Sequence, residues 1–316
     1  MKNLSLKFFL ASGVLSLALV LPTLHGVNAA STSASGIADD EPEIMTYKEY
    51  GKIKHGRPYI IQLKSGQGEL FYFGAGHVYR LDDPQIAEIE RRFAEFRPTL
   101  VLNESQTPPV ETTRERAVER YGEPGLVSFL AAKHGVPIKS LDPPRMQEIG
   151  YLLSTKRWTT EQVMLFYILR RVAENNKKTN PRPVDEFVQQ ALDATAKAPG
   201  FEGLPKTVAE FEASAKRLLP SVADWRKVDI RVFDPNPDLG LYTNDLAYAS
   251  SQYRDKYMVK LLADEVKRGG RVFAVVGASH VVMQERALKN ALQQPTPASN
   301  TAPINTTYGR GAQRMP

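Results

Sequence analysis

The sequence contains no cysteine among its 316 residues. Without thiols the chain cannot form disulfides, cysteine-ligated zinc sites or iron–sulfur clusters, and it cannot use a cysteine nucleophile. The same absence excludes a bacterial lipoprotein, which needs a cysteine at its cleavage site. Any chemistry must therefore use oxygen and nitrogen groups.

The chain is 42% hydrophobic and 24% charged, which fits one large globular domain or two small ones and excludes a disordered or fibrous protein. Its formal charge of +6 falls by two, to +4, when Lys2 and Lys7 are left out. Much of the remaining basic excess is scattered along helices, as at Arg91 and Arg170, which is typical of solvated faces. We therefore predict no nucleic-acid binding.

The N-terminus has the pattern of a secretory signal. Lys2 and Lys7 precede a short apolar run, residues 8–21, and small residues follow up to Ala29. The run is short for a membrane span. We expect a signal peptide over residues 1–29, no stable transmembrane segment after processing, and an exported protein in the periplasm or outside the cell.

Composition divides the rest of the chain. Residues 30–42 are a polar linker and residues 294–316 are rich in Pro, Asn, Thr and Gly, so we expect both to be disordered. Between them we predict a first α/β half over residues 43–142, an all-helical insertion over residues 143–222 and a second α/β half over residues 223–293.

The first half alternates between the two types of secondary structure. A hairpin around residues 65–68 is followed by alternating helices and strands, predicted at residues 84–96, 99–102, 114–134 and 136–141. This alternation predicts an α/β fold with a mainly parallel sheet.

The later segments carry helix and strand signals. Capping boxes at Thr159–Gln162 and Thr207–Glu210 predict helix starts in the insertion. In the second half, apolar runs predict a strand at Asp229–Phe233 and a buried strand at residues 271–276. We also predict a helix from Asp245, capped by Asn244, and a last helix at residues 282–292.

One local pattern occurs twice, 203 residues apart. An apolar strand leads into Gly74-Ala75-Gly76-His77, and another leads into Gly277-Ala278-Ser279-His280. Gly74, Gly76 and Gly277 would allow a tight turn and the close approach of another group. The repetition predicts two strand–GxxH–helix units from an internal duplication, with the two histidines facing each other across the sheet.

Four polar side chains follow predicted strands: His77, Glu104, Asp142 and His280. Open α/β folds bind ligands at the carboxyl ends of their strands. Two imidazoles and a carboxylate suit a divalent metal that activates water. The alternative is that these are ordinary strand-end residues, with Glu104 capping a helix and Asp142 forming a turn before two prolines.

Arg254 shares one face of its predicted helix with Met258 and Leu261, which directs the guanidinium toward the packed side. It could hold an anionic or carbonyl group of a substrate near His280, or pair structurally with a buried acid such as Asp142. Its neighbour Asp255 projects elsewhere and is interpreted as a surface charge.

Four segments together resemble the TraB/GumN family, within the broader group of Tiki proteases, erythromycin esterases and ChaN-type haem-binding proteins. They are residues 74–77, 97–104, 253–258 and 276–280, and they occur in the family's order. The resemblance implies an α/β fold with a pseudo-duplicated erythromycin-esterase/ChaN-like core. This sequence departs from the family at Ser105 after Glu104, and at Asp255, where many members have asparagine.

The resemblance also implies a site made of His77, Glu104, Arg254 and His280. We expect a metal-dependent hydrolase or protease that cleaves amide or ester bonds of a peptide or small molecule, with manganese, cobalt or zinc on His77, Glu104 and His280. Arg254 would stabilise an oxyanion, and Asp142 would remain for proton transfer because Glu104 cannot be both ligand and base. The alternatives are haem binding through His77 or Tyr72, peptide sequestration without turnover, and a catalytically silent family member.

Overall fold

The computed structural model describes residues 42–104, 108–177, 180–196, 201, 203–235 and 240–293. The predicted signal peptide, the predicted linker up to residue 41 and the predicted tail at residues 294–316 lie outside the described residues. Within the described part of the chain, none of the helices combines the length and the apolar composition that crossing a membrane requires.

Five strands of the described chain form one mixed sheet in the order β1-β2-β5-β3-β4. They are β1 (Tyr59–Ser65), β2 (Gly68–Ala75), β3 (Leu100–Asn103), β4 (Ile138–Ser140) and β5 (Arg271–Gly277). β1 and β2 pair antiparallel, which confirms the predicted hairpin, and the other neighbours pair in parallel. The predicted α/β class with a mainly parallel sheet is therefore confirmed.

Helices account for most of the remaining described chain. They are α1 (Tyr47–Tyr50), α2 (Pro84–Phe96), α3 (Arg114–His134), α4 (Arg145–Ser154), α5 (Thr160–Asn176), α6 (Val184–Thr195), α7 (Val208–Leu218), α8 (Tyr242–Lys267) and α9 (Ala278–Gln293), with 3-10 helices at Trp225–Lys227 and Ile230–Phe233.

Local sequence signals explain several helix starts. Asp83 accepts a hydrogen bond from the Gln85 amide, and Pro84 occupies the first position of α2, where a missing N–H costs nothing. The predicted capping boxes at Thr159–Gln162 and Thr207–Glu210 are both formed, and they begin α5 and α7.

The sheet is buried on both faces by helices. Leu70 and Tyr72 of β2 point to one face, in a cluster with residues of α8 and α9. Phe71 and Phe73 point to the other face, where they pack with residues of α2 and α3. Because both faces are covered, β2 and β5 read as continuous apolar runs rather than alternating ones.

A separate hydrophobic cluster is built by α4–α7 and the first part of α8. Phe166 and Phe211 are completely buried in it. Each such side chain contributes roughly 2 kcal/mol by leaving water. These helices therefore have their own core, and α8 runs from that core to the sheet.

Two predictions in the second half are wrong. Asp229–Phe233 is not a strand: Asp229 caps the 3-10 helix Ile230–Phe233 by accepting from the Arg231 amide, which competes with extended backbone. Asn244 does not precede its helix. α8 begins at Tyr242, and Asn244 in its first turn accepts from the Leu241 amide.

The segments after β2 and β5 differ from each other. After β5, helix α9 begins at once with Ala278, earlier than predicted, so His280 lies in its first turn. After β2, His77 lies in a loop that ends only where α2 begins at Pro84. β4 is also shorter than predicted.

Candidate functional site

The carboxyl ends of the central strands meet at one edge of the sheet. β5 pairs with β2 on one side and β3 on the other, so that Ala75 lies opposite Gly277 and Asn103 lies opposite Val275. The residues that follow these strands therefore begin as close neighbours, although they are far apart in the sequence.

Glu104, the first residue after β3, lies at the centre of this edge. The Gly277 amide donates to its Oε2 at 2.8 Å. Its Oε1 accepts from Arg254 Nη2 at 3.2 Å and lies 3.3 Å from His280 Nε2. The carboxylate thus connects the end of β5, helix α8 and helix α9.

Arg254 pairs with two carboxylates. Its Nη2 and Nε donate to Asp142 Oδ1 at 2.7 and 2.9 Å, in addition to the bond to Glu104. Structural pairing with Asp142, one of the two alternatives for this arginine, is therefore present. The ion pairs are largely protected from water, with 14% of the Arg254 side chain and 21% of the Asp142 side chain exposed.

His280 lies between two carboxylates. Its Nδ1 is 2.6 Å from Asp255 Oδ1, on the opposite side of the ring from Glu104. The interpretation of Asp255 as a surface charge is wrong, because this residue is completely buried. Helix α8 carries both residues, and it points the Asp255 side chain away from that of Arg254. Asp255 therefore faces α9, which packs on α8.

Further buried side chains, which the sequence reasoning missed, continue the network. Gln284 Nε2 donates to Asp255 Oδ1 at 2.6 Å, and Tyr72 donates to Gln284 Oε1 at 2.8 Å. Gln284 follows His280 by one helical turn, so the two polar residues share an otherwise apolar helix face. This spacing is the sequence feature from which Gln284 could have been predicted. Tyr72, the alternative haem ligand, is completely buried and its hydroxyl is engaged.

His77 is exposed at the same edge, beyond the end of β2. A methyl group placed on Gly277 would lie 2.8 Å from His77 Nε2 and 3.5 Å from Glu104 Oε2. The imidazole therefore lies against the last residue of β5, beside Glu104. The structure thus brings together His77, Glu104, Asp142, Arg254 and His280, with Asp255 in addition.

The three predicted glycines permit close packing rather than unusual backbone angles, since none of them has a positive φ. A side chain at Gly74 would approach the Ala278 backbone to 2.8 Å, and one at Gly76 would approach the Gln85 amide to 3.0 Å. At Gly277 the close group is His77 itself.

Burial and charge act in opposite directions on the ionisable groups. Burial lowers the pKa of His280, but the charges of Asp255 and Glu104 raise it by more, so the ring is protonated at neutral pH. Burial raises the pKa of Glu104, but His280 and Arg254 hold that pKa well below its ordinary value. Burial also lowers the pKa of Arg254, and Asp142 and Glu104 more than compensate.

The nitrogen and oxygen atoms of these side chains, which could bind a metal ion, mostly form hydrogen bonds or ion pairs with one another. Both ring nitrogens of His280 face carboxylates, and both oxygens of Glu104 accept from protein donors. Among the described residues, no group of three His, Asp or Glu side chains is arranged to hold a metal ion. In this arrangement Arg254 and His280 are the positively charged groups beside Glu104. His280 and Glu104 would have to give up their present hydrogen-bond partners before they could bind a metal ion.

A surface cavity of about 800 Å³ lies elsewhere, among α5, α6 and the 3-10 helices. Its wall includes Arg226, which pairs with Asp185. None of the residues at the sheet edge lines this cavity, so the chemistry-bearing groups and the cavity are separate features.

Comparison of the chain with models of known protein families finds no match, and comparison with curated proteins finds none.

Proposed function

We propose that this protein is an exported hydrolase of the TraB/GumN type that cleaves peptide amide or ester bonds at the carboxyl edge of the sheet. The observation that carries the proposal is the position of Glu104, which contacts His280, Arg254 and the Gly277 amide at once. The signal-like N-terminus supports the export part of the proposal.

The arrangement can perform acid–base chemistry. His77 exposes its imidazole beside Glu104 and would accept a proton from an attacking water. Arg254 would stabilise negative charge that develops on the carbonyl oxygen, because its guanidinium is fixed in a largely water-excluded region. Asp255 would keep the His280 ring in one orientation, as carboxylates do for imidazoles in other hydrolases.

Dependence on manganese, cobalt or zinc remains part of the proposal. The candidate ligands His77, Glu104 and His280 are neighbours, which favours it, while the present partners of His280 and Glu104 oppose it. A divalent ion there would polarise the scissile carbonyl or activate water. His77 is the base in the metal-free form and a ligand in the metal-dependent form, whereas the roles given above to Arg254 and Asp255 are the same in both.

The pseudo-duplicated core belongs to the same proposal. β2 and β5 are adjacent and parallel, and each ends close to its glycine and histidine. The different segments after the two strands would then reflect divergence of the two copies, one of which exposes its histidine while the other buries it.

The test combines metal analysis with hydrolysis. The protein would be purified without chelator and assayed on p-nitrophenyl butyrate and fluorescence-quenched casein, with and without added manganese, cobalt or zinc. His77→Ala and His280→Ala are the test variants. His134→Ala is the matched control, because His134 is exposed at the far end of α3.

We expect hydrolysis by the parent and by His134→Ala, and a loss of about 100-fold or more in both test variants. Stoichiometric metal that disappears in both test variants would establish the metal-dependent form, and activity without metal would establish the metal-free form. Equal activity in all variants would refute the site. An inactive parent that absorbs in the Soret region would replace hydrolysis by haem binding.

A further inference from the structure

The backbone at His77 has a conformation that side-chain-bearing residues rarely adopt. Its φ is +56°, in the left-handed region. Such a conformation costs about 1 kcal/mol or more in a residue other than glycine, and it persists only where surrounding contacts impose it. The backbone amides on both sides of His77 donate hydrogen bonds to side chains of two helices.

The first contact is made by Gln85 in the first turn of α2. The Gly76 amide, directly before His77, donates to Gln85 Oε1 at 2.7 Å. Gln85 is itself nearly buried, and its Nε2 donates to Asp83 Oδ1 at 3.3 Å. The bond to Asp83 thus holds the side-chain amide of Gln85 in one orientation, with its oxygen toward the loop that contains His77.

The second contact is made by Glu123 of α3. The Val78 amide, directly after His77, donates to Glu123 Oε1 at 2.8 Å, and Glu123 is 2% exposed. Burial raises the pKa of Glu123, and the hydrogen bond from the Val78 amide opposes that rise, so the loop amide helps to keep the buried carboxyl group charged.

An interruption in α3 leaves room for this contact between Glu123 and the loop. The helix is interrupted at Gly122, whose φ is +62°, and Pro124 follows. A side chain at Gly122 would lie 2.8 Å from the Val78 carbonyl oxygen. The interruption therefore gives the loop room to lie against α3, and the residue after Gly122 provides the acceptor.

We propose that Gln85 and Glu123 are positioning residues, which hold the amides on both sides of His77 so that its imidazole lies against Gly277 and beside Glu104. This inference rests on the proposed function in that it takes His77 to be the exposed imidazole of the reaction. A rotation of this short loop would move the ring away from Glu104, although the sheet would be unchanged.

Four variants test the proposal. Glu123→Leu removes the acceptor, and Glu123→Gln retains it and serves as the conservative rescue. Gln85→Leu removes the other acceptor. Gly122→Ala keeps both acceptors and displaces the loop by contact with the Val78 carbonyl. Val118→Ala is the matched control, because Val118 is buried in the core on the same helix and its apolar side chain cannot accept a hydrogen bond from a loop amide.

Two measurements are made on the full chain. The first is the imidazole NMR spectrum of isotopically labelled histidine without added metal, with the His77 signal assigned by His77→Ala and the His280 signal as internal reference. The second is kcat and KM on p-nitrophenyl butyrate.

We expect the His77 signal to move in Glu123→Leu, Gln85→Leu and Gly122→Ala, and to remain in place in Glu123→Gln and Val118→Ala. In the first three variants kcat should fall by about 10- to 100-fold with unchanged KM, because the reacting group is displaced.

An unmoved His77 signal in both Glu123→Leu and Gly122→Ala would overturn the proposal, whatever the activity. Movement of the signal together with unchanged kcat would also overturn it, since the contacts would then be structural alone. If the parent has no esterase activity, the proposed function fails on its own, and the NMR spectra still decide whether the two residues position His77. If Glu123→Leu or Gly122→Ala does not fold, Gln85→Leu decides by the same criteria, because it changes only one side chain in the first turn of α2.

Discussion

His280 and Asp255 form a 2.6 Å contact that joins helix α9 to helix α8 beneath the edge of the sheet. The other ring nitrogen of His280 faces Glu104, which follows β3. One imidazole therefore connects three elements that are distant in the sequence. Its orientation depends on two carboxylates, and Asp255 is the one that the solvent cannot reach.

Replacing Asp255 by asparagine should abolish most of the proposed hydrolysis. Asp255→Asn keeps the shape of the side chain but removes the charge that holds His280, and we expect kcat on p-nitrophenyl butyrate to fall about 100-fold or more. Asp264→Asn on the same helix is the control, because the Asp264 side chain is 40% exposed and pairs with exposed Lys260, away from His280. Similar losses in both variants would show that the effect is not specific to His280.

Removing the guanidinium of Arg254 should destabilise the fold. Arg254→Met leaves Glu104 and Asp142 without their shared cation, and we expect the free energy of unfolding in urea to fall by about 3–5 kcal/mol. Asp142→Asn in the same chain should recover part of this loss, because it removes one of the two carboxylates that share the guanidinium. Strictly additive effects of the two substitutions would contradict the coupling seen in the structure.

A side chain at Gly277 should displace His77. Gly277→Ala places a methyl group 2.8 Å from His77 Nε2, so the ring must move away from Glu104. We expect hydrolysis to fall about 10- to 100-fold while the circular dichroism spectrum is retained.

Gly150→Ala is the matched control for that substitution, because a methyl group there meets no atom within 4 Å. It lies inside α4 and should raise the free energy of unfolding by about 0.5–1 kcal/mol. Unchanged activity in Gly277→Ala would mean that the position of His77 does not matter for the reaction.

The stability of the protein should depend on pH through His280. Burial lowers the pKa of this ring, but Asp255 and Glu104 raise it by more, from 6.5 to about 10. A group whose pKa is raised by folding contributes its full stability below pH 6.5 and loses it as the pH rises toward 10.

The measurement is urea unfolding of the parent and of His280→Gln from pH 6 to pH 10. The difference between their free energies of unfolding should fall with pH, by at most about 1.4 kcal/mol per pH unit for one proton. A difference that grows with pH would mean that His280 is neutral in the folded protein.

The sheet and its carboxyl edge could be predicted from the sequence because their signals are local. Apolar runs with turn residues on either side identify strands such as β2, and capping residues such as Thr159 identify helix starts. Once the strands are taken to be parallel, polar residues directly after them must share an edge. That reasoning is sufficient to place His77, Glu104 and His280 together.

The partners of those residues could not be predicted because they depend on how two helices pack. Asp255 follows Arg254 directly, and only the packing of α9 on α8 decides that one of them faces His280 while the other faces Asp142. The error at Asp229–Phe233 has a different origin, because there two local signals compete. An aspartate that caps a short helix competes with the apolar pattern that favours a strand.

The order of the strands also bears on how the molecule assembles during synthesis. β5 lies between β2 and β3, but it is made after both of them and after the whole helical region. Until it emerges from the ribosome, β2 and β3 have no shared neighbour, and contacts across some 200 residues of chain are slow to form. The nascent protein therefore exposes two unpaired strand edges until residues 271–277 arrive, and Glu104 has neither His280 nor the Gly277 amide to bind before that moment.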